Sequence, residues 1–206
     1  MSRLFAAIYD RFTRPAEEAC LQFWRAELLR DLSGAVLEVG AGTGMNVPYY
    51  PRDLTQLVLS EPNPHMRRQL ERRTRLHGWE RADLLNETLE ALAIADGAFD
   101  VVVGTLVLCS VPRLDRALSE IHRVLKPGGR FVFIEHVAAD TKPGRLKWQR
   151  RIEPVWKRLA DNCHLTRRTE DAIRAAGFTI EQVKHESMRK AVPFVRPTIR
   201  GVAIRA

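Results

Sequence analysis

Short apolar runs alternate along this chain with longer stretches in which apolar residues recur at helical spacing. The runs predict strands over residues 36–39, 56–60, 82–86, 99–104 and 130–135. Helices are predicted between them, over 112–125 and over 64–77, where Asn63 is a plausible N-cap and Pro64 the first helical residue. Strand–helix alternation of this kind predicts an α/β fold with a parallel sheet and helices on both faces.

The pattern changes after residue 135. A long, Trp-rich insert is followed by a predicted helix over 166–176 that ends at Gly177, and then by two strands over 178–185 and 198–204. No repeat, low-complexity stretch or linker divides the sequence, and 206 residues suffice for one sizeable core. We therefore expect a single domain over residues 1–206.

Composition excludes several classes of protein. The apolar fraction of 45% and the charged fraction of 28% are ordinary for a globular domain, and no apolar stretch reaches the length of a membrane span. The cysteines, Cys20, Cys109 and Cys163, are few, odd in number and far apart, which argues against a disulfide framework and suits a reducing cytoplasm. With no C-x2-C or H-x3-H spacing, Cys109, Cys163 and His164 predict no metal site.

The net charge of +8 could indicate a nucleic-acid or anionic-membrane partner. Much of the excess lies in two basic runs, 67–75 and 145–158, and the first has its apolar residues on one helical face. Its arginines are then the solvated face of an amphipathic helix. No aromatic residue interleaves with them to stack on bases, so a nucleic-acid partner is not expected.

The most informative motif follows the first predicted strand. Three glycines, Gly40, Gly42 and Gly44, stand at every second position after Glu38, and Glu61 ends the next apolar run. The glycines could form only a tight strand-to-helix turn, and Glu38 could be an acid that caps it. The spacing differs from the G-x-G-x-x-G of dinucleotide-binding folds, and Glu38 would repel a pyrophosphate but attract a cationic ligand. Glu61 could read a ribose diol or simply favour a helix N-terminus.

This E-x-G-x-G-x-G pattern resembles motif I of the class I S-adenosylmethionine (SAM) methyltransferases. The resemblance implies a Rossmann-like, doubly wound, seven-stranded and mostly parallel sheet with helices on both faces and an antiparallel last strand beside the fifth. It divides the domain into N-terminal lid helices (1–32), a cofactor-binding half (33–136) and an acceptor-side half (137–206). SAM would be the methyl donor and S-adenosylhomocysteine the product.

The resemblance also assigns residues to the cofactor. Glu38 would read the methionyl ammonium, directly or through water, Glu61 the ribose hydroxyls, and Thr88 with Leu89 the adenine, with Glu87 or Glu90 also possible. Lys126-Pro-Gly-Gly129 resembles the family's turn into strand five, and Tyr9-Asp10 its lid helix, although a lone tyrosine near a terminus is more often a packing residue. The expected cofactor-binding residues are Tyr9, Glu38, Gly40, Ala41, Gly42, Gly44, Glu61, Pro62, Thr88, Leu89, Thr105 and Leu106.

The acceptor-side half resembles one group within this family, the alkyl-thiol S-methyltransferases. The matching segments are Thr105–Val111, Glu135-His136-Val-Ala138, Trp148-Gln149, Glu153-Pro-Val-Trp156-Lys157 and Asp161–Arg167. The resemblance implies methyl transfer to a small apolar thiol. Because a thiol needs only a weak base, His136 at the carboxyl end of the fifth strand is the candidate for that role, with His164 second and near the substrate; Trp148 and Trp156 could wall an apolar acceptor pocket. A histidine tied to backbone and two tryptophans packed in the core explain these residues equally well.

Other functions stay open. An N-, O- or C-methyltransferase acting on a lipid, quinone or phenolic metabolite shares the lid and the cofactor motifs, and a regulatory module could hold SAM without turnover. The positions of the cysteines do not suggest the trigonal site of an arsenite methyltransferase, and no base-reading motif of a nucleic-acid methyltransferase is present. Members of the thiol group begin with an apolar membrane anchor, whereas this sequence begins at the lid, so we expect a cytoplasmic monomer or homodimer with no stable membrane anchor.

Overall fold

The computed structural model describes residues 3–206, with side chains from residue 9 onward. Met1 and Ser2, the first residues of the predicted lid segment, lie outside the described residues. The helices are α1 (Arg3–Ala16), α2 (Gln22–Leu29), α3 (Pro64–Leu76), α4 (Leu114–Val124), α5 (Pro143–Leu159) and α6 (Thr169–Ala175). The strands are β1 (Ala35–Val39), β2 (Gln56–Ser60), β3 (Asp83–Leu85), β4 (Phe99–Thr105), β5 (Leu125–His136), β6 (Phe178–Ser187) and β7 (Pro197–Arg205).

The strands form one sheet in the order β3-β2-β1-β4-β5-β7-β6. All neighbouring pairs are parallel except those of β7, which runs antiparallel to both β5 and β6. The predicted doubly wound, seven-stranded sheet with an antiparallel last strand is therefore confirmed. The chain reverses its direction of winding between β1 and β4, which is where ligands bind in sheets of this type.

The apolar runs become strands because both faces of the sheet are buried. In β4, Val102 packs into one core cluster, whereas Val101 and Val103 pack into the cluster on the opposite face. In β5, Phe131 lies on the first face and Val132 on the second. A strand covered on both faces needs apolar residues at consecutive positions, which is the pattern that the sequence displays.

The predicted turn at 126–129 is placed differently by the structure. These four residues lie inside β5, where Leu125 pairs with Phe99 and Arg130 with Val101. Four residues therefore bulge out opposite a single residue of β4, and Gly128 adopts a φ of +75° there. The glycines serve the change of direction that was predicted, but within one strand rather than before it.

The N-terminal segment lies over the carboxyl edge of the sheet. A π-helical turn (Glu17–Leu21) joins α1 to α2. Asp10 of α1 accepts a hydrogen bond from the Thr43 hydroxyl at 2.6 Å and pairs with Arg73 of α3 at 2.9 Å, so the helix is fastened to the loop after β1. Within the described part of the chain, no helix combines the length and the apolar character needed to cross a membrane.

Candidate active site

A cavity of about 890 Å³ opens at the carboxyl edge of the sheet. The last residues of four strands line it: Val39, Ser60, Thr105 and His136. Helix α1 covers one side, and the end of α5 and the connection between β6 and β7 cover another. The predicted site residues in its wall are Tyr9, Gly40, Gly42, Glu61, Pro62, Thr88, Leu89, Thr105, Leu106, His136 and Trp156.

The glycine motif forms the tight turn at the end of β1. Gly40, Gly42 and Gly44 have φ values of +62°, +58° and +85°, a region that other residues rarely adopt. Gly40 and Gly42 line the cavity, whereas Ala41 and Gly44 lie behind it and hold the turn, since the Gly44 N–H donates to the Ala41 carbonyl at 2.9 Å. Since Gly40 and Gly42 have no side chain, their backbone atoms are exposed to the cavity.

Glu61 is buried at the end of β2 and lines the cavity. One carboxylate oxygen accepts from the Gly42 N–H and the other from the Asn63 N–H, both at 2.8 Å. Burial raises the pKa of Glu61 above its usual range, against the effect of these two N–H donors. The N-cap of α3 is Asn63, whose side chain accepts from two backbone N–H groups of the helix. Glu61 therefore is not the N-cap of α3, and each of its oxygens keeps a lone pair for a further donor.

Glu38 does not line the cavity. It is 3% exposed and accepts hydrogen bonds from Asn46 at 2.9 Å and from the Tyr50 hydroxyl at 2.8 Å. Burial raises its pKa to about 7. This geometry favours an indirect effect on a bound ligand, because Asn46 also donates to the Thr105 hydroxyl in the cavity wall at 3.0 Å.

The raised pKa of Glu38 gives a pH-dependent prediction. The folded state favours the protonated carboxyl, so its contribution to stability is complete below the unfolded pKa of 4.5 and is lost as pH rises through about 7. A Gln in its place keeps both hydrogen bonds, with the amide donating to Tyr50, and does not titrate. We expect the free energy of unfolding of Glu38→Gln, relative to the parent, to rise by about 2.5 kcal/mol between about pH 5 and pH 8. Urea unfolding at the two pH values measures the difference, and an unchanged difference would refute it.

A buried ion pair that the sequence did not predict stabilises the region around Glu38. Arg25 makes two hydrogen bonds to Glu17, at 2.8 and 3.2 Å, and a third to Asn46 at 2.6 Å. Through Asn46 the pair reaches Glu38, so the N-terminal helices and the glycine turn share one buried polar network. No motif spacing identifies Arg25 and Glu17, because they become buried only when α2 packs against the glycine turn.

The loop after β3 forms one end of the cavity. Glu87, Thr88, Leu89 and Glu90, the stretch in which adenine contacts are expected, all line it. The Glu87 carboxylate accepts from the Ala93 N–H at 2.8 Å, and that of Glu90 from the Arg113 N–H at 3.3 Å. Both carboxylates thus accept hydrogen bonds from backbone N–H groups of the protein. This leaves Thr88 and Leu89 as the better candidates for contact with a ligand.

The loop after β4 forms the middle of the cavity wall. Glu135, fully buried, accepts from the N–H groups of Val107 and Leu108 at 2.9 Å and of Cys109 at 3.3 Å. Leu106 adopts a φ of +54°, unusual for a residue with a branched side chain. Strain of this kind persists where surrounding contacts hold it, and here the Glu135 carboxylate holds the residues that follow.

Three reactive side chains meet at the far end of the cavity. His136 Nε2 lies 2.9 Å from Cys163 Sγ, and one ligand atom from each of Cys109, His136 and Cys163 lies within 4.8 Å of the others. The Trp156 N–H donates to Cys163 Sγ at 3.2 Å. The sequence analysis grouped Cys109 and Cys163 with His164, whereas the histidine beside these two cysteines in the structure is His136.

The pKa values of the two cysteines in this cluster are shifted in opposite directions. The neighbouring Cys109 thiol lowers the pKa of Cys163, and the Cys163 thiol, together with burial, raises that of Cys109. Burial alone would lower the pKa of His136, but Cys109 and Glu135 raise it overall. Cys163 is thus the thiol that ionises more readily. The alternative of a backbone-bound histidine is not seen, since His136 Nδ1 has no partner among the described residues.

The segment after α5 brings Cys163 to this cluster. The His164 N–H donates to the Cys109 carbonyl at 2.8 Å, and the Asn162 side chain donates to the Ser110 carbonyl at 2.9 Å. The Arg167 guanidinium donates to the carbonyls of Leu108 and Val111. The loop after β4 and the segment after α5 are therefore one hydrogen-bonded unit, although about fifty residues separate them in sequence.

Two of the residues expected to bind the substrate, Trp148 and His164, lie outside the cavity wall. Trp148 is 60% exposed and does not line the cavity, because α5 turns it to solvent while Trp156 points inward. Eight residues are more than two helical turns, so the two rings do not share one direction. The His164 side chain also lies outside the cavity wall, with Nδ1 at 3.7 Å from Glu153.

Comparison with known proteins agrees with this architecture. The profile of a family described as "Methyltransferase domain" matches residues 37–133. The chain is 39% identical over 215 residues to thiol S-methyltransferase TMT1B of Rattus norvegicus, an alignment that covers 100% of this chain and 84% of the relative. It is 38% identical over 177 residues to thiol S-methyltransferase TMT1A of Homo sapiens, covering 83% of this chain and 70% of the relative.

Solved structures match at lower identity and show the fold alone. A SAM-dependent methyltransferase from Thermotoga maritima, described as a possible histamine N-methyltransferase, superposes with a TM-score of 0.67 at 21% identity, covering 98% of this chain and 95% of that one. A Haloferax volcanii methyltransferase, solved in complex with the Trm112 activator, gives a TM-score of 0.70 at 14% identity, covering 98% and 96%.

Proposed function

The chain belongs to the SAM-dependent methyltransferase family that includes the thiol S-methyltransferases TMT1A and TMT1B, and from this premise we propose that it methylates the sulfur of small apolar thiols. The observation that carries the proposal is the extent of the similarity, which spans the acceptor-side half as well as the cofactor-binding half. The cavity supports it, because its acceptor end is lined by apolar groups around Cys109, His136 and Cys163.

The cofactor would occupy the side of the cavity formed by β1, β2 and the loop after β3. Glu61 would accept from the ribose hydroxyls with the lone pairs that Gly42 and Asn63 leave unused. Thr88 and Leu89 would contact the adenine, with Pro62 beside the ribose, and the bare backbone at Gly40 would meet the methionyl group. Tyr9 would cover the methionyl group from the lid.

The reacting groups would meet between Leu106 and His136. Methyl transfer is an in-line displacement in which the acceptor sulfur forms a bond to the methyl carbon while the bond from that carbon to the sulfonium breaks. Alignment of the two sulfur atoms supplies much of the rate, roughly 7 to 11 kcal/mol where reactants are held in place. Thr105 and Leu106 would align the sulfonium from the carboxyl end of β4, and the walls of the cavity would exclude water.

The acceptor must also lose its proton. A free thiol has a pKa of about 8.5, so a nearby proton acceptor and a positive field suffice to ionise it. His136 is our candidate for the proton acceptor, because it ends β5 in the cavity wall and its Nε2 already contacts a thiol, that of Cys163. Arg167, half-buried and bonded to the loop after β4, would contribute the field.

A panel of acceptors tests the proposed function. Purified protein is incubated with methyl-labelled SAM and matched sets of alkyl thiols, aryl thiols, phenols and amines of similar size. We expect labelled thioether from the thiols and none from the matched phenols and amines. Transfer to a phenol or amine without transfer to any thiol would replace this proposal by O- or N-methylation, and SAM binding without any transfer would indicate a binding module.

The two tryptophans of α5 provide a matched pair of variants. Trp156 borders the cavity and stacks edge-on against Phe194 at 4.9 Å between ring centres, whereas Trp148 faces solvent. We expect Trp156→Ala to raise the KM for the acceptor about tenfold, because an apolar wall is lost, and Trp148→Ala to leave it within about twofold. Trp156→Phe keeps an aromatic ring in the cavity wall but removes the N–H that donates to Cys163 Sγ. Steady-state kinetics with one thiol check the ranking, and equal KM values for the two alanine variants would contradict it.

A further inference from the structure

Cys109, His136 and Cys163 form an arrangement that thiol methylation does not by itself require. Each is buried, and each comes from a different part of the fold: the loop after β4, the end of β5 and the segment after α5. Zinc bonds are about 2.3 Å to sulfur and about 2.0–2.1 Å to nitrogen, so tetrahedral ligand atoms lie about 3.5 Å apart. With the three ligand atoms already within 4.8 Å of one another, side-chain rotations alone would close them around one ion.

The backbone around the three residues is held in place. The Cys109 N–H is bonded to Glu135, His136 is paired with Thr198 of β7, and the Cys163 N–H donates to the Ala160 carbonyl at 3.0 Å. Such a site costs little to organise when a cation binds, because the fold has already placed its ligands.

The charges nearby also fit a divalent cation. Two thiolates neutralise a 2+ charge, while the Glu135 carboxyl and the Arg167 guanidinium shift the pKa of His136 and of Cys163 in opposite directions.

We propose that Cys109, His136 and Cys163 bind one thiophilic divalent cation, Zn²⁺ being the best match, with a fourth coordination position open to the cavity for the acceptor sulfur. Three protein ligands and one open position are the arrangement of catalytic zinc sites, whereas structural sites are closed by four. All three residues line the cavity, so the open position faces the space that the acceptor would enter. The assignment of the fourth ligand rests on the proposed function; the metal site itself does not.

A bound cation would change where the proton of the acceptor thiol goes. In the metal-free cluster His136 would receive it; with a cation held by Cys109, His136 and Cys163, the acceptor sulfur would take the open position and the thiol proton would leave to water, since a coordinated thiol is deprotonated outright. The sulfur lone pair then forms the bond to the methyl carbon, and the electron pair of the broken bond stays on S-adenosylhomocysteine. The neutral thioether product is a weaker ligand and departs.

Cobalt substitution tests the metal site without reference to activity. Chelator-treated protein, kept reduced with a phosphine, is titrated with Co²⁺, whose thiolate charge-transfer absorption reports cysteine ligation. We expect one equivalent to bind, to be displaced by Zn²⁺, and to lose at least tenfold in affinity in Cys109→Ser, Cys163→Ser and His136→Ala. Cys20→Ser is the matched control, since Cys20 is also buried and reduced but lies outside the cavity wall. Circular dichroism and SAM binding verify that each variant is folded.

Uptake of no cobalt, or equal uptake by Cys20→Ser and Cys163→Ser, would overturn the site. Adding a thiol from the acceptor panel to the cobalt protein, without SAM, tests the open position: we expect the charge-transfer absorption to increase, and the corresponding alcohol to have no effect. An unchanged spectrum would overturn the thiol as fourth ligand. Cobalt binding in a protein that methylates no thiol would leave the metal site standing and remove the proposed function. Thiol methylation without any metal uptake would support the proposed function and remove the metal site.

Discussion

Replacing Glu61 with alanine is expected to weaken SAM binding by at least about a hundredfold. The carboxylate accepts from the N–H groups of Gly42 and Asn63, and in the proposed complex it accepts from the ribose hydroxyls as well. Hydrogen bonds to a charged group contribute about 1.5–3 kcal/mol each, so the loss of two from the ligand corresponds to about two decades or more in Kd. Isothermal titration calorimetry with SAM measures the change directly.

Further variants at this position separate ligand binding from folding. Glu61→Gln keeps the volume, but its amide N–H would face the N–H of Gly42 or Asn63, so we expect a loss close to that of alanine. Glu61→Asp keeps the charge one methylene further from the cavity and is expected to bind at an intermediate level. Glu181→Gln removes the same charge from the exposed surface of β6 and serves as the control. Binding by Glu61→Ala within about threefold of the parent would contradict the assignment.

Replacing Gly40 with alanine is expected to destabilise the folded protein by about 3 kcal/mol. A Cβ at this position would lie 2.3 Å from Val107 Cγ2 and 2.9 Å from Val107 Cβ, in a backbone with a φ of +62°. The left-handed conformation costs an L residue about 1–2 kcal/mol, and overpacking against a stiff β-branched side chain costs about 1–3 kcal/mol more. Urea unfolding measures the loss, and SAM affinity should fall with it because the glycine turn lines the cavity.

Gly128 offers a control that isolates the backbone contribution. Its φ is +75°, but a Cβ there would meet no atom within 4 Å, so Gly128→Ala should cost only the conformational part, about 1–2 kcal/mol. Val107→Ala removes the nearer of the two contacts with the new methyl group. In the double variant with Gly40→Ala we therefore expect a favourable coupling of about 1 kcal/mol or more. Equal losses for Gly40→Ala and Gly128→Ala would show that Val107 does not oppose a side chain at position 40.

The fold was largely predictable from local patterns. Consecutive apolar residues, as in β4, predict strands buried on both faces, and the alternation of strands with helices predicts a parallel sheet. Boundaries were less predictable where long-range pairing decides them. Residues 126–129 have the composition of a turn, yet pairing of Leu125 with Phe99 draws them into β5 as a bulge. The direction in which Trp148 points was likewise missed, because it depends on how α5 is rotated against its neighbours.

The two ends of the cavity differ in how far the sequence determines them. The end proposed for the cofactor is built from short contiguous segments: a glycine turn directly after β1, an acid at the end of β2 and a loop after β3. Their conformations depend on local backbone preferences, so the local sequence is enough to expect Gly40, Gly42 and Glu61 at the edge of the sheet, where they line the cavity. The acceptor end joins Cys109, His136 and Cys163, which are far apart in sequence and share no spacing rule.

Only tertiary structure brings those three side chains together. Parallel strands place the ends of β4 and β5 side by side, and the hydrogen bonds of His164, Asn162 and Arg167 fold the later segment onto the loop after β4. The sequence by itself determined the sheet and the methyl-donor family, because each follows from local periodicity or a contiguous motif. The chemistry facing the acceptor was decided by long-range packing, since contacts between residues distant along the chain leave no periodic signal in it.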